Sequence, residues 1–120
     1  ETFLSRAFRI SSYVLKNDRI LCIFPEGGRS FDGETMEFKK GIGILALKQN
    51  VPVVPALIEG TFEALPRGSF WPKFRKVNIT FGRPFHLSEL DLSRKPENID
   101  EYQYFANVVR EKVRQLKRAE

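Results

Sequence analysis

Ile20-Leu21-Cys22-Ile23-Phe24-Pro25-Glu26-Gly27-Gly28-Arg29-Ser30 is the stretch on which the fold turns. Its first five residues are apolar without alternation, the pattern of a strand covered on both faces, as in a parallel sheet layered by helices. Pro25 stops such a strand because it has no N–H to give to a ladder. The Gly, Ser and Asp residues that follow, up to Gly33, read as a loop at the strand's carboxyl end. That is where open α/β sheets bind their ligands.

Upstream, Phe3, Leu4, Ala7, Phe8, Ser11, Val14 and Leu15 recur at three- and four-residue spacing, with Arg6, Arg9, Ser12 and Lys16 elsewhere. The spacing predicts an amphipathic helix that ends at Asn17-Asp18, residues tolerant of turn geometry. Downstream, residues 40–49 predict a short helix apolar on most sides, with Asn50 as a left-handed cap. Residues 51–58 are rich in β-branched side chains and predict a strand, with Pro52 and Pro55 marking its start and an irregularity. Strand, helix and strand in this order form a βαβ unit with a right-handed crossover. Residues 61–76 read as loop and turn, broken by Pro66, Gly68 and Pro72. Residues 77–81 alternate apolar and polar, which predicts a strand with one wetter face, closed by Gly82 and Pro84. The clearest helix lies in residues 101–118, with a stripe of Tyr102, Phe105, Val109, Val113 and Leu116. Asn98 with Glu101 resembles its capping box.

Neither repeat nor linker interrupts residues 1–120, which read as a single domain. The expected class is α/β, a mixed, largely parallel sheet flanked by helices. Three strands are few for such a sheet, and the first helix opens without a substantial polar cap. The expectation is therefore a domain incomplete on its N-terminal side.

With 42% apolar and 29% charged residues, the 120-residue chain is far from the composition of disorder. Its eight glycines and seven prolines exclude a collagen-like or low-complexity chain. Cys22 stands alone, which excludes an internal disulfide and a four-thiolate zinc site and favours a reducing compartment. The longest run without a polar residue is residues 51–58, where a membrane span needs about 20. No charged-then-apolar signal segment opens the chain. The net charge is +5, unevenly placed: eight basic and seven acidic residues in the first half, twelve and eight in the second. Such an excess suits anionic partners without choosing among nucleic acid, membrane surface and phosphorylated substrate.

The loop after residues 20–24 holds the chemistry. Gly27 and Gly28 lack a Cβ, so a ligand can approach their backbone N–H groups closely. Arg29 presents a planar fork of donors suited to phosphate oxygens. Glu26, itself an anion, can hold Arg29 in place or accept a hydrogen bond from a ligand hydroxyl. The plainer reading is a Gly-Gly turn with a surface Glu–Arg pair worth less than about 1 kcal/mol. Lys39 and Lys40 stand at a helix start, where cations oppose the macrodipole. A nearby anion explains them, and so does simple solvation.

These residues also carry a resemblance. Phe24-Pro25-Glu26-Gly27-Gly28-Arg29-Ser30 resembles the Phe-Pro-Glu-Gly-Thr-Arg-Ser block of the glycerolipid acyltransferases, the lysophosphatidate acyltransferase-like family. Phe38-Lys39-Lys40-Gly41 resembles the family's Phe-Lys-(Lys/Arg)-Gly element, and Val51-Pro52-Val53-Val54-Pro55-Ala56 its hydrophobic strand with a fixed proline. Gly60-Thr61, Leu65-Pro66 and Phe81-Gly82-Arg83-Pro84 follow in the family's order. The resemblance covers about residues 1–90. It implies the C-terminal portion of an acyltransferase domain. The reaction implied is transfer of a fatty acyl group from acyl-CoA or acyl-carrier protein to the free hydroxyl of a lysophospholipid such as 1-acylglycerol-3-phosphate. Glu26, Gly27, Gly28, Arg29 and Ser30 then bind the acceptor, with Arg29 on its phosphate. Lys39 or Lys40 helps neutralise it, and Pro55 shapes the pocket wall. Gly28 departs from the family's threonine and removes one hydroxyl. No metal and no cofactor beyond the acyl donor is implied.

The family's His-x-x-x-x-Asp motif, general base and its orienting acid, precedes the Pro-Glu-Gly block. Here the single histidine, His86, stands five residues before Asp91 but after the last expected strand. It reads as a loop residue, leaving no catalytic residue in the chain and the isolated chain inactive. A second patch, Arg67, Phe70, Trp71, Lys73, Phe74, Arg75 and Lys76, interleaves aromatic and basic residues without an acid. It suits an anionic membrane surface, which places this segment peripherally at the cytoplasmic face of a membrane. Single-stranded nucleic acid is the rival ligand for that pattern, and an ordinary loop with tucked aromatics the plain one. Lipid is favoured over nucleic acid. The alternative to an enzyme is a non-catalytic module of the same fold that binds anionic ligands or membrane surfaces.

Overall fold

The computed structural model describes residues 2–27, 36–60, 71 and 76–117. Helix α1 spans Phe3–Lys16. Its start is capped after all: the Thr2 side chain accepts the Ser5 N–H at 3.1 Å, satisfying one of the orphan donors of the first turn. At the other end Asn17 Nδ2 donates to the Tyr13 carbonyl, and Asp18 takes a positive φ of 56°. Of the predicted stripe, Ala7, Phe8, Ser11, Val14 and Leu15 are half-buried, while Phe3 and Leu4 at its start are exposed; the Phe8 ring reaches Gly41.

Helix α2 spans Gly41–Gln49 and ends on Asn50 in the left-handed region, as predicted. Ile42, Gly43 and Ala46 are buried. Gly43 is required by close approach: a Cβ there would run into the backbone of Tyr102. Tyr102 lies in the first turn of helix α3, Glu101–Arg114, whose cap is Asp100 and not Asn98; the Asp100 carboxylate accepts the Gln103 N–H at 2.8 Å. The α3 stripe of Phe105, Ala106, Val109 and Val113 joins Phe38, Ile42, Ala46 and Phe85 in one core. Phe85 and Phe105 stack with centroids 5.5 Å apart, and the Lys112 ammonium lies 4.5 Å over the Phe85 ring.

The sheet is two strands, β1 at Ala56–Glu59 and β2 at Asn78–Phe81. They pair antiparallel, Ala56 opposite Phe81 and Glu59 opposite Asn78. Beyond them Val53 bridges Phe85, with N–H···O bonds of 2.8 and 2.7 Å. Four steps separate Phe81 from Phe85 where three separate Val53 from Ala56, so one extra residue bulges beside Pro84. The prolines explain the interruption, since neither Pro55 nor Pro84 has an N–H for the ladder.

The architecture is α/β, helices with a small sheet. Two expectations about the strands fail. Residues 20–24 form no strand, and Ile20 is 96% exposed. A buried parallel strand needs neighbours on both sides, and among the described residues none flanks it, so the βαβ unit is not seen and the pairing present is antiparallel. The wetter face of residues 77–81 is also reversed. Leu57 and Val53 pack on the core, and the register puts Thr80 on Leu57's side. Asn78 and Thr80 are therefore half-buried, while Ile79 and Phe81 face outward. Thr80 Oγ1 and Glu59 Oε1 are buried without a hydrogen-bond partner among the described residues.

Candidate functional site

Pro25, Glu26 and Gly27 form a turn, with the Gly27 N–H donating to the Phe24 carbonyl at 3.2 Å. Gly27 has φ +73°, a conformation that glycine adopts without steric cost. The space left by its missing Cβ is taken by the chain itself. A Cβ there would stand 2.6 Å from Lys39 Cε, so the lysine stem lies across this glycine. The Lys39 N–H donates to the Pro25 carbonyl at 2.9 Å, holding the two segments side by side.

Glu26 acts as a second fastening. Its Oε2 accepts the Met36 N–H at 2.6 Å, across ten residues. Sequence reasoning gave this carboxylate to Arg29 or to a ligand hydroxyl; one of its oxygens is spent on the backbone. From the other side α3 grips the same segment. Arg110 Nε donates to the Met36 carbonyl at 2.8 Å, and Gln103 Nε2 to the Phe38 carbonyl at 3.0 Å. Glu26, Met36, Glu37, Phe38, Lys39 and Gln103 line an open cavity of about 320 Å³. A neighbouring one of about 450 Å³ is lined by Glu37, Asn107, Arg110 and Glu111. Pro55 lines neither; it is buried at the entry to β1, its carbonyl accepting the Gly82 N–H.

The two lysines part company. Lys39 lies at the turn and lines the cavity. Lys40 Nζ lies 3.8 Å from Asp100 Oδ2, joining the start of α2 to the cap of α3. Of the predicted acceptor set, the structure brings Glu26, Gly27 and Lys39 together and sets Lys40 apart. Gly28, Arg29 and Ser30 lie outside the described residues, as do Arg67, Phe70, Lys73, Phe74 and Arg75. Trp71 and Lys76 are both exposed, Trp71 to 83%.

His86 and Asp91 serve local structure. His86 Nδ1 accepts the Ser88 N–H at 3.1 Å, and Glu89 Oε2 accepts the His86 N–H, a capping box for the 3₁₀ turn Leu87–Glu89. Asp91 caps the next turn, Leu92–Arg94, taking the Ser93 N–H and hydroxyl at 3.1 and 2.6 Å. These two bonds, the hydroxyl first, with a weaker contribution from the Arg94 charge, hold the Asp91 carboxyl below its ordinary pKa although burial opposes them. Their spacing thus reflects two consecutive caps. Gln103 and Arg110 were invisible to sequence reasoning. Their only signal is the seven-residue spacing that puts both on one side of a helix.

Among the described residues no helix is long and apolar enough to cross a membrane. Residues 4–59 match the family model described as Acyltransferase. The chain is 34% identical over 89 residues to the 1-acyl-sn-glycerol-3-phosphate acyltransferase of Limnanthes alba, covering 74% of this chain and 30% of that protein. To the chloroplastic 1-acyl-sn-glycerol-3-phosphate acyltransferase of Arabidopsis thaliana it is 38% identical over 80 residues, covering 66% and 22%. The crystal structure of the 1-acyl-sn-glycerophosphate acyltransferase PlsC from Thermotoga maritima superposes with a TM-score of 0.67 at 30% identity. It covers 96% of this chain, which spans 46% of that protein. The chain thus spans under a third of these curated relatives.

Proposed function

From the premise that this chain belongs to the glycerolipid acyltransferase family, we propose that it is the acceptor-binding part of an O-acyltransferase of phospholipid biosynthesis. Its donor is acyl-CoA or acyl-carrier protein, and its acceptor is a lysophospholipid such as 1-acylglycerol-3-phosphate. The observation that carries this reading is the Lys39 stem laid across Gly27 beside the cavity that Glu26 also lines. A cation so placed offsets the charge of a phosphate, and the guanidinium of Arg29, at the family's arginine position, supplies a bidentate partner. Gly28, Ser30 and the remaining oxygen of Glu26 belong to the same acceptor site.

In this reaction the acceptor hydroxyl attacks the thioester carbonyl, its proton goes to a general base, and the donor thiol leaves. His86 and Asp91, both spent on 3₁₀ caps, do not supply that base. The family places it in a His-x-x-x-x-Asp motif ahead of the Pro-Glu-Gly block, so the isolated chain binds without turning over. Membrane contact runs through Trp71 and Lys76 with Arg67, Phe70, Lys73, Phe74 and Arg75, at the cytoplasmic face and peripherally. The spent His–Asp pair also supports a second reading, a binding module of the same fold without catalysis.

The lysines provide the test, in the intact acyltransferase. Lys39→Ala should raise the KM for lysophosphatidate about tenfold, the worth of a charge-assisted hydrogen bond. Lys40→Ala should leave that KM unchanged and cost less than about 1 kcal/mol of stability, because its ion pair is exposed. Equal effects of the two substitutions on acceptor KM overturn the assignment.

A further inference from the structure

We infer that Arg110 and Gln103 on α3 are positioning residues for the acceptor, acting through the backbone of Met36 and Phe38; this rests on the function proposed above. Residues 36–39 belong to no helix or strand, so no ladder satisfies their carbonyls, and partly buried carbonyls require partners. Two come from a distant helix, Arg110 Nε to Met36 and Gln103 Nε2 to Phe38, across 74 and 65 residues of chain. Gln103 is itself oriented: its Nε2 also donates to Asn107 Oδ1 at 2.9 Å, so both amide protons are committed. Between the two grips, Phe38 is buried in the core that α3 shares.

What these bonds hold is the site itself. The Met36 N–H binds Glu26, and three residues on, the Lys39 N–H binds Pro25 while its side chain crosses Gly27. Glu26, Lys39 and Gln103 line one cavity. A rigid helix, anchored by Phe105, Val109 and Val113, therefore sets where the carboxylate and the ammonium stand. Misplacement of a binding group by about 1 Å suffices to lose as much as a hundredfold in rate. The matched family segment ends at residue 59, so this support comes from outside it.

Arg110→Met keeps the stem and removes the donors. In the intact acyltransferase it should raise the KM for lysophosphatidate about tenfold, the worth of a charge-assisted hydrogen bond, while the KM for the acyl donor stays within about twofold and Arg110→Lys recovers part of the loss. Acceptor and donor KM rising together, or an unchanged acceptor KM, overturns the inference. A second measurement needs no activity. In the intact protein, hydrogen exchange at the Met36 and Lys39 amides should quicken about tenfold in Arg110→Met, with the Val109 amide unchanged. Unchanged exchange at Met36 sinks the inference independently of turnover. Faster exchange in a protein that acylates no lysophospholipid removes the proposed function and leaves the grip of α3 on this segment standing.

Discussion

The chain has two apolar surfaces of similar composition and opposite fate. Between α2 and α3, Phe38, Ile42, Ala46, Phe85, Phe105 and Val109 close over one another, and Phe105 is fully buried. Across the sheet, Ile58 pairs with Ile79 and Ala56 with Phe81, yet their shared face is open and Phe81 is 69% exposed. Of residues 20–24, all but the half-buried Leu21 are likewise exposed. The difference teaches that an apolar pattern states a demand for cover, and neighbouring elements decide whether it is met. On the closed side every helix brings a complementary stripe; on the open side no described element does.

The largest effect expected on this contrast is at its two extremes. Phe105→Ala should cost about 3–5 kcal/mol in a urea titration, because the surrounding core cannot collapse into the space. Ile79→Ser on the open face should lie within about 0.5 kcal/mol of the parent. If the two cost the same, the open face is covered in solution. A finer cut uses the two glycines of α2. Gly43→Ala should lose about 1–3 kcal/mol by forcing α2 away from the Tyr102 backbone. Gly41→Ala should be close to neutral, since its Cβ would stand 3.4 Å from the adaptable Phe8 ring. Equal losses would mean that the α2–α3 contact is not the tight one. The smallest effect is at Asp91. Its carboxyl is depressed in the folded chain, so the contribution of its cap is present above the unfolded pKa, near the ordinary 3.8, and is lost as pH falls through the lower folded value. An NMR titration should show the Ser93 amide moving below pH 3.8 while the Phe105 amide does not.

The same contrast explains what was legible in the chain. The stripe from Phe105 to Val113 lies on one helix face, so its period declares both the helix and its buried side. The stripe from Phe3 to Leu15 declares the helix but is only half-buried from Ala7 on and exposed at Phe3 and Leu4. Asn50 was readable because few side chains tolerate its conformation. Asp100 and Asn98 are both good caps, and local chemistry does not rank them. Residues 20–24 look like a strand because they are apolar, but a strand exists only with a partner. The reversal at Thr80 follows from register with Leu57, a nonlocal fact. In the candidate site, Glu26 and Gly27 stand out by residue type, which is local. Their partners, Met36 and Lys39, and the support from Gln103 and Arg110 come from elsewhere in the chain. The apparent His86–Asp91 motif misleads for the converse reason: each residue is consumed within three positions of itself.

The pairing of Pro25 with Lys39 and of Glu26 with Met36 has a consequence for how such a chain can diverge. Two fastenings at the neck mean that the closure entropy of whatever runs between Gly27 and Met36 is already opposed by bonds outside it. Each doubling of the intervening length then adds only about 0.6 kcal/mol. Insertions at that point are thermodynamically inexpensive, so the intervening segment can change in length while the helices beneath stay as they are.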